Sequence, residues 1–243
     1  MHYHERADRP RIAYHLTEGR GPTIVFLPGY ASDMSGTKAV AVEHWARDTG
    51  RAALRFDYAG CGESDGAFAD QGLADWRDDA LAMIDLVAGS VVLVGSSMGG
   101  WIMLLAALAR PGQVVGMVGI APAPDFTDWG FSDAQKAALL SDGRIEEHSE
   151  YSDHPKTTTR TFWQSGEANR LMHGTIALSV PTRLVQGQLD PDVPWERTVR
   201  LAGLIAGDDV QTWLIKDGDH RLSRPQDIAL ILRAIEDVSG EAE

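Results

Sequence analysis

One cysteine in 243 residues, Cys61, excludes an intramolecular disulfide and a zinc site built from several thiolates. Such usage fits a reducing compartment, and a cytoplasmic location is expected. Aromatic residues are only 7% of the chain, and basic side chains are outnumbered, 22 Lys and Arg against 35 Asp and Glu. The resulting formal charge of −13 repels phosphate backbones and anionic lipid, so neither nucleic acid nor membrane is an expected partner. No apolar run approaches the ~20 residues needed to cross a bilayer. The longest, after Gly100, stops at Arg110-Pro111 and reads as a core helix. The N-terminus, Met1-His2-Tyr3-His4-Glu5-Arg6, leads into polar residues with no apolar segment of a secretory signal. Internal repeats and low-complexity stretches are also missing. The length suits a single α/β domain over residues 1–243, with a core of ordinary size.

What is present is an alternation. Thr23–Leu27, Ala52–Phe56, Val91–Val94, Val114–Ile120, Thr182–Gln186 and Val210–Ile215 are short apolar runs that read as strands. Helix-period segments lie between them. Leu73, Trp76, Ala80, Met83, Ile84 and Val87 recur at three- and four-residue steps, as do Ile228, Ile231, Leu232, Ile235 and Val238 behind Pro225. This order predicts a mostly parallel, twisted sheet with helices on both faces, and a site at the carboxyl ends of the strands. The first twenty residues read as an antiparallel edge hairpin or strand. Between Pro122 and Val180 the rhythm fails. That interval holds helical patterns at Ser132–Leu140 and Thr161–Met172, and the aromatics Phe126, Trp129, Phe131, Tyr151, Phe162 and Trp163. An insertion of this length reads as a small cap, at about 125–172, above the strand ends.

The most informative segment is Gly95-Ser96-Ser97-Met98-Gly99. It fits G-x-S-x-G, with the β-branched run Val91–Val94 before it and the apolar stretch Trp101–Leu108 after it. A serine at a sharp strand-to-helix turn is lifted above the sheet edge, and the flanking glycines remove side chains that would clash there. A serine hydroxyl needs a base to take its proton, and the base needs an acid to fix its tautomer. In the order Ser, acid, His, the acid falls in Gly187-Gln188-Leu189-Asp190-Pro191-Asp192, and Asp190 is favoured because it lies nearer the strand end. Asp192 is the rival, read as a cap of the helix starting near Trp195. The base is His220, on the loop after the last strand. The other histidines (His2, His4, His15, His44, His148, His154 and His173) read as surface or core residues, and no clustered spacing suggests a metal site. No cofactor is expected.

Two backbone donors should face the developing oxyanion: the N–H of Met98, at the start of a helix, and that of Tyr30, in the turn Pro28-Gly29-Tyr30. Asp57 and the glycine-rich run that follows it read as structural, with Cys61 a packed residue. Met34, Trp129 and Trp163 are the expected acyl contacts. Trp101 reads equally as pocket or as helix packing.

Longer segments carry a resemblance. They are Phe26-Leu27-Pro28-Gly29-Tyr30-Ala31-Ser32-Asp33-Met34-Ser35-Gly36-Thr37-Lys38-Ala39, the run Arg55 to Gly66, Leu93 to Trp101, Val193-Pro194-Trp195 and Asp219-His220-Arg221. On these the chain resembles the serine α/β-hydrolases, and more narrowly their mitochondrial α/β-hydrolase-domain branch of palmitoyl-protein thioesterases and acyl-glucuronide hydrolases. The resemblance implies the α/β-hydrolase fold, a triad of Ser97, Asp190 and His220, and a small-molecule or acylated-protein substrate cleaved through an acyl-enzyme. The cap does not match that branch convincingly, and a transit peptide is missing, as in a bacterial cytoplasmic relative or a mature form. Competing readings are a peptidase or perhydrolase using the same triad, and a non-catalytic hydrolase-fold binder.

Overall fold

Every residue of Val91–Ser96 (β5) is buried, as a strand covered on both faces must be. In the computed structural model, which describes residues 1–147 and 155–240, β5 lies near the middle of an eight-stranded sheet. The other strands are His2–Arg6 (β1), Arg9–Thr17 (β2), Arg20–Leu27 (β3), Arg51–Phe56 (β4), Val114–Ile120 (β6), Thr182–Gly187 (β9) and Val210–Ile215 (β10). Their spatial order is β1-β2-β4-β3-β5-β6-β9-β10. From β4 to β10 all neighbours are parallel, while β1–β2 and β2–β4 are antiparallel. The expected α/β-hydrolase architecture is therefore present, with the N-terminal hairpin at one edge.

Side chains alternate between two cores, as the strand period of two requires. Val25, Leu27, Val91 and Leu93 face one side, with Leu73–Leu86 (α2), Met98–Ala109 (α3) and Trp195–Leu204 (α7). Ile24, Phe26, Val92 and Val94 face the other, with Thr37–Thr49 (α1) and Pro225–Ser239 (α8). Each large apolar side chain taken fully from water contributes about 1.5–3 kcal/mol. α1 has no counterpart in the expected elements. Its buried positions are Ala39, Val42, Glu43 and Ala46, and two alanines with a glutamate give a faint apolar period. Glu43 can be buried because Arg55 donates to it at 2.7 Å.

The excursion after β6 contains Phe126–Trp129 (α4), Asp133–Asp142 (α5), a hairpin of Arg144–Glu147 (β7) and Lys156–Thr159 (β8), and Arg160–Ala168 (α6). The helix expected over Thr161–Met172 ends at Ala168, because Leu171 and Met172 are held elsewhere. Asp125, 3% exposed and at φ 57°, accepts the Leu171 N–H at 2.8 Å and the Met172 N–H at 2.7 Å. One carboxylate thus ties the two stems of the excursion together. Asp125→Ala strands two buried donors and is expected to cost about 2–4 kcal/mol, read by denaturant unfolding. Asp125→Asn tolerates the left-handed backbone and keeps one acceptor, so it should cost less; equal losses would mean that the complete carboxylate, not tolerance of the backbone geometry, sets the stem.

Candidate active site

Ser97 links β5 to α3 and sits at φ 54°, ψ −118°, a conformation that non-glycine residues rarely adopt. Three backbone hydrogen bonds fix it. Its N–H donates to the Ile120 carbonyl at 2.9 Å, and its own carbonyl accepts from Gly100 at 2.9 Å and Ala123 at 3.0 Å. The glycines of the motif are required sterically. A Cβ on Gly99 would lie 2.0 Å from the Leu27 carbonyl oxygen, and one on Gly95 would lie 2.4 Å from that of Gly99. The end of β3 is therefore in contact with the first turn of α3.

Asp190 and His220 stand on the loops after β9 and β10, at the same end of the sheet as Ser97. His220 Nδ1 and Asp190 Oδ2 are 2.8 Å apart, and the Asp190 side chain is fully buried. Asp190 Oδ1 accepts the N–H groups of Asp192 at 2.8 Å and Val193 at 2.9 Å, and Oδ2 also accepts from Gln186 Nε2 at 2.9 Å. Burial alone would raise the Asp190 pKa. The bonds from His220, Val193 and Gln186 outweigh it and hold the carboxyl below its usual range. The imidazole is thereby held through Nδ1. Among the described residues no hydrogen bond joins the Ser97 hydroxyl to His220.

Asp190, Asp192 and His220 offer ligand atoms within 4.8 Å of one another. Both Asp190 oxygens already accept two N–H groups, which fills the four lone-pair directions of a carboxylate. The donor set fits a hydrogen-bonded acid better than a metal ligand. The N-cap of α7 is Pro194, with no side-chain cap, so the expectation that Asp192 caps this helix is corrected: its backbone N–H is committed to Asp190.

A family model described as serine aminopeptidase, S33, matches residues 20–146. The mitochondrial palmitoyl-protein thioesterase ABHD10 of Mus musculus is 39% identical over 241 residues, 96% of this chain and 80% of its own. The chain belongs to the α/β-hydrolase family. A solved structure from Agrobacterium vitis S4 is 42% identical, with a TM-score of 0.92 over 98% of this chain and 97% of its own. That of mouse α/β hydrolase domain-containing protein 10 is 37% identical, with a TM-score of 0.90 over 97% and 96%. The ABHD10 relatives are mitochondrial by name, so they lend no support to a cytoplasmic location. Among the described residues of this hydrolase no helix is long and apolar enough to cross a membrane.

Met98 is the first residue of α3, where an N–H has no acceptor within its own helix. The Pro28-Gly29-Tyr30 turn passes beside Ser97, since a Cβ on Gly29 would lie 3.5 Å from the Ser97 Cβ. The Tyr30 side chain does more than the sequence suggests. Its ring packs 4.6 Å from Phe162, 5.3 Å from Phe68, 5.7 Å from Trp76 and 6.2 Å from Phe126, and its hydroxyl donates to the Thr157 carbonyl at 2.7 Å. Burial raises the Tyr30 pKa further above its ordinary value.

Met34 is buried, and its backbone is held by Asp57 Oδ1 at 2.6 Å and Arg55 Nη1 at 2.8 Å. Asp57 also accepts the Glu63 N–H at 2.8 Å, a structural task. Burial pushes the Cys61 thiol up to about 12, which makes it a poor nucleophile. Trp101 is fully buried and donates to the Asn169 carbonyl at 3.1 Å, so it is helix packing. Trp129 and Trp163 are half-buried. Their indole N–H groups donate to the carbonyls of Pro124 at 2.9 Å and Thr127 at 3.1 Å, and Arg197 lies over the Trp129 ring. Tyr151, His148 and His154 lie outside the described residues.

Gln186 has no signal in the sequence, being one polar residue at the end of an apolar strand. It is fully buried, donates to Asp190 and accepts from Thr198 Oγ at 2.8 Å. Gln186→Leu is expected to cost about 1–3 kcal/mol, because the Thr198 hydroxyl loses its acceptor as well. It should also raise the Asp190 pKa, since a donor to the ionised form is lost. The depressed native pKa makes a stabilising contribution that is present above the unfolded value and lost as pH falls through the native one. The variant should therefore lose less stability than wild type on acidification. Unfolding curves between neutral and acidic pH check this; parallel profiles would sever Gln186 from Asp190.

Proposed function

We propose that this hydrolase cleaves carboxylic esters or thioesters of acyl groups through an acyl-enzyme. One observation carries the reading: the Asp190–His220 hydrogen bond stands at the same sheet edge as the strained Ser97 elbow. Ser97 Oγ attacks the acyl carbonyl carbon while His220 Nε2 takes the hydroxyl proton. Asp190 holds the imidazolium through Nδ1. The N–H groups of Met98 and Tyr30 receive the oxyanion, each such donor being worth about 2.7–4 kcal/mol of barrier. His220 then returns the proton to the departing thiolate or alkoxide as the carbon–leaving-group bond breaks. Water, deprotonated by His220, attacks the acyl-enzyme and releases the carboxylic acid with Ser97 restored.

The substrate class is an acylated protein or a small acyl ester. The relatives' names support a long-chain acyl thioester on protein, and the motif resemblance adds acyl glucuronides. Met34, Trp129 and Trp163 are proposed to border the acyl chain, the two indoles also pinning the cap. The family model's description favours one second reading, an aminopeptidase. A panel of p-nitrophenyl esters, acyl thioesters, acyl glucuronides and aminoacyl p-nitroanilides separates them. Turnover confined to the anilides would overturn the esterase reading.

Ser97→Ala is expected to abolish ester turnover while Tm stays near wild type. Asp190→Asn should lower kcat by up to about 10⁴-fold, the scale of lost tautomer control, whereas Asp192→Asn leaves kcat nearly unchanged. Substantial activity in Ser97→Ala, or a reversal of the two aspartates, refutes the triad.

If the indoles also contact the acyl chain, Trp129→Ala or Trp163→Ala should lower kcat/KM for long acyl esters about tenfold more than for acetyl esters. A uniform loss at all chain lengths, with a lowered Tm, assigns both to anchoring alone.

A further inference from the structure

The loop that carries His220 is strained. Leu222 is at φ 45° and fully buried, and such a backbone persists only where its surroundings over-determine it. Part of the hold is local. Asp219 Oδ1 accepts the Leu222 N–H at 2.9 Å, and Arg224 pairs with Asp217 at 2.8 Å. The rest comes from far away in the chain. Lys38, in the first turn of α1, donates from Nζ to the Arg221 carbonyl at 2.5 Å. Lys38 stands in the helix into which the Tyr30-bearing connection from β3 leads, so this bond links that helix start to the loop of His220.

We propose that Lys38 is a positioning residue for hydrolysis: its ammonium group fixes the Arg221 carbonyl and so holds His220 in place for Ser97. The inference rests on the reading of Ser97 and His220 as nucleophile and base. The charged groups facing Lys38 are Arg221 and Asp219. Burial and the like charge of Arg221, opposed by Asp219, bring the Lys38 pKa down to about 8. A lysine whose native pKa is lowered is destabilising while charged, and stability rises with pH from about 8 toward its ordinary value. Loss of charge above pH 8 leaves a weaker donor.

The test measures kcat, KM and Tm with a p-nitrophenyl ester for wild type, Lys38→Met and Lys38→Arg, beside Ser97→Ala and His220→Ala. Lys38→Met should lower kcat about tenfold, within the ~10²-fold range that small misplacements of catalytic groups produce. KM and Tm should stay close to wild type. Lys38→Arg should recover most of the rate at pH 7. Wild-type kcat should decline as pH rises through about 8, and Lys38→Arg, whose charge does not titrate there, should resist that decline. A fully active Lys38→Met beside inactive Ser97→Ala and His220→Ala overturns the Lys38 inference alone. So does a Tm loss with kcat and KM changed together, or the same alkaline profile in Lys38→Arg and wild type. Activity in Ser97→Ala or His220→Ala overturns the underlying triad instead.

Discussion

The backbone of Ser97 is the constraint on which the rest of the molecule is arranged. A non-glycine residue at φ 54° costs of order 1–3 kcal/mol and relaxes unless its neighbours forbid it. Here the neighbours are strands. β6 supplies the Ile120 carbonyl that receives the Ser97 N–H, and the residues just beyond it supply the Ala123 N–H. β3 supplies the Leu27 carbonyl against which only a glycine at position 99 fits. The register of three adjacent parallel strands thus fixes one side chain. The same close approach drives α3 into the centre of the fold, which is why that helix is apolar on all sides and buried from Met98 to Ala107.

Two buried aspartates show how the surroundings decide the state of a carboxyl group. Asp57 accepts two backbone N–H groups, but burial, aided by the like charges of Asp33 and Glu63, prevails and its pKa rises. Asp190 accepts four N–H groups, one from an imidazole, and its pKa falls. The difference lies in the donors and the neighbouring charges: two donors more at Asp190 than at Asp57, one of them an imidazole, and two carboxylates beside Asp57. In the sequence the two differ only by position, since Asp57 opens a glycine-rich turn and Asp190 follows a strand end.

Legibility followed the size of the local signal. Val114–Ile120 has the bounds that its apolar run suggests, because a strand buried in a parallel sheet is apolar nearly throughout; Val210–Ile215 matches as well, although as the edge strand it is only partly covered. The elbow was legible because its chemistry is local to five residues. α1 was not, since alanines and a buried glutamate mask its period, and its partner Arg55 lies on another element. β7, β8 and α4 are four residues each, too short to show any period. Gln186, Asp125 and Lys38 share a different reason. Each acts through a hydrogen bond that only the fold creates, to a main-chain group far along the chain for Asp125 and Lys38 and across a tight loop for Gln186, and neither composition nor spacing records such a bond.

The aromatic residues change their meaning most. Counted along the chain, Phe126, Phe131, Phe162 and the two tryptophans suggest either a pocket lining or anchors for the cap. In space Phe162 is 1% exposed, and with Phe126 it closes around the Tyr30 ring. Aromatic surface spent on one another is not available to an acyl chain. It does rigid work instead: Tyr30 is gripped by rings from α2, α4 and α6 and by a carbonyl of β8, while its own backbone borders the elbow. The excursion that would choose the substrate is therefore fastened to the turn that would stabilise the oxyanion. A shift in the excursion cannot leave that turn unaffected, because the two are physically joined at the Tyr30 side chain.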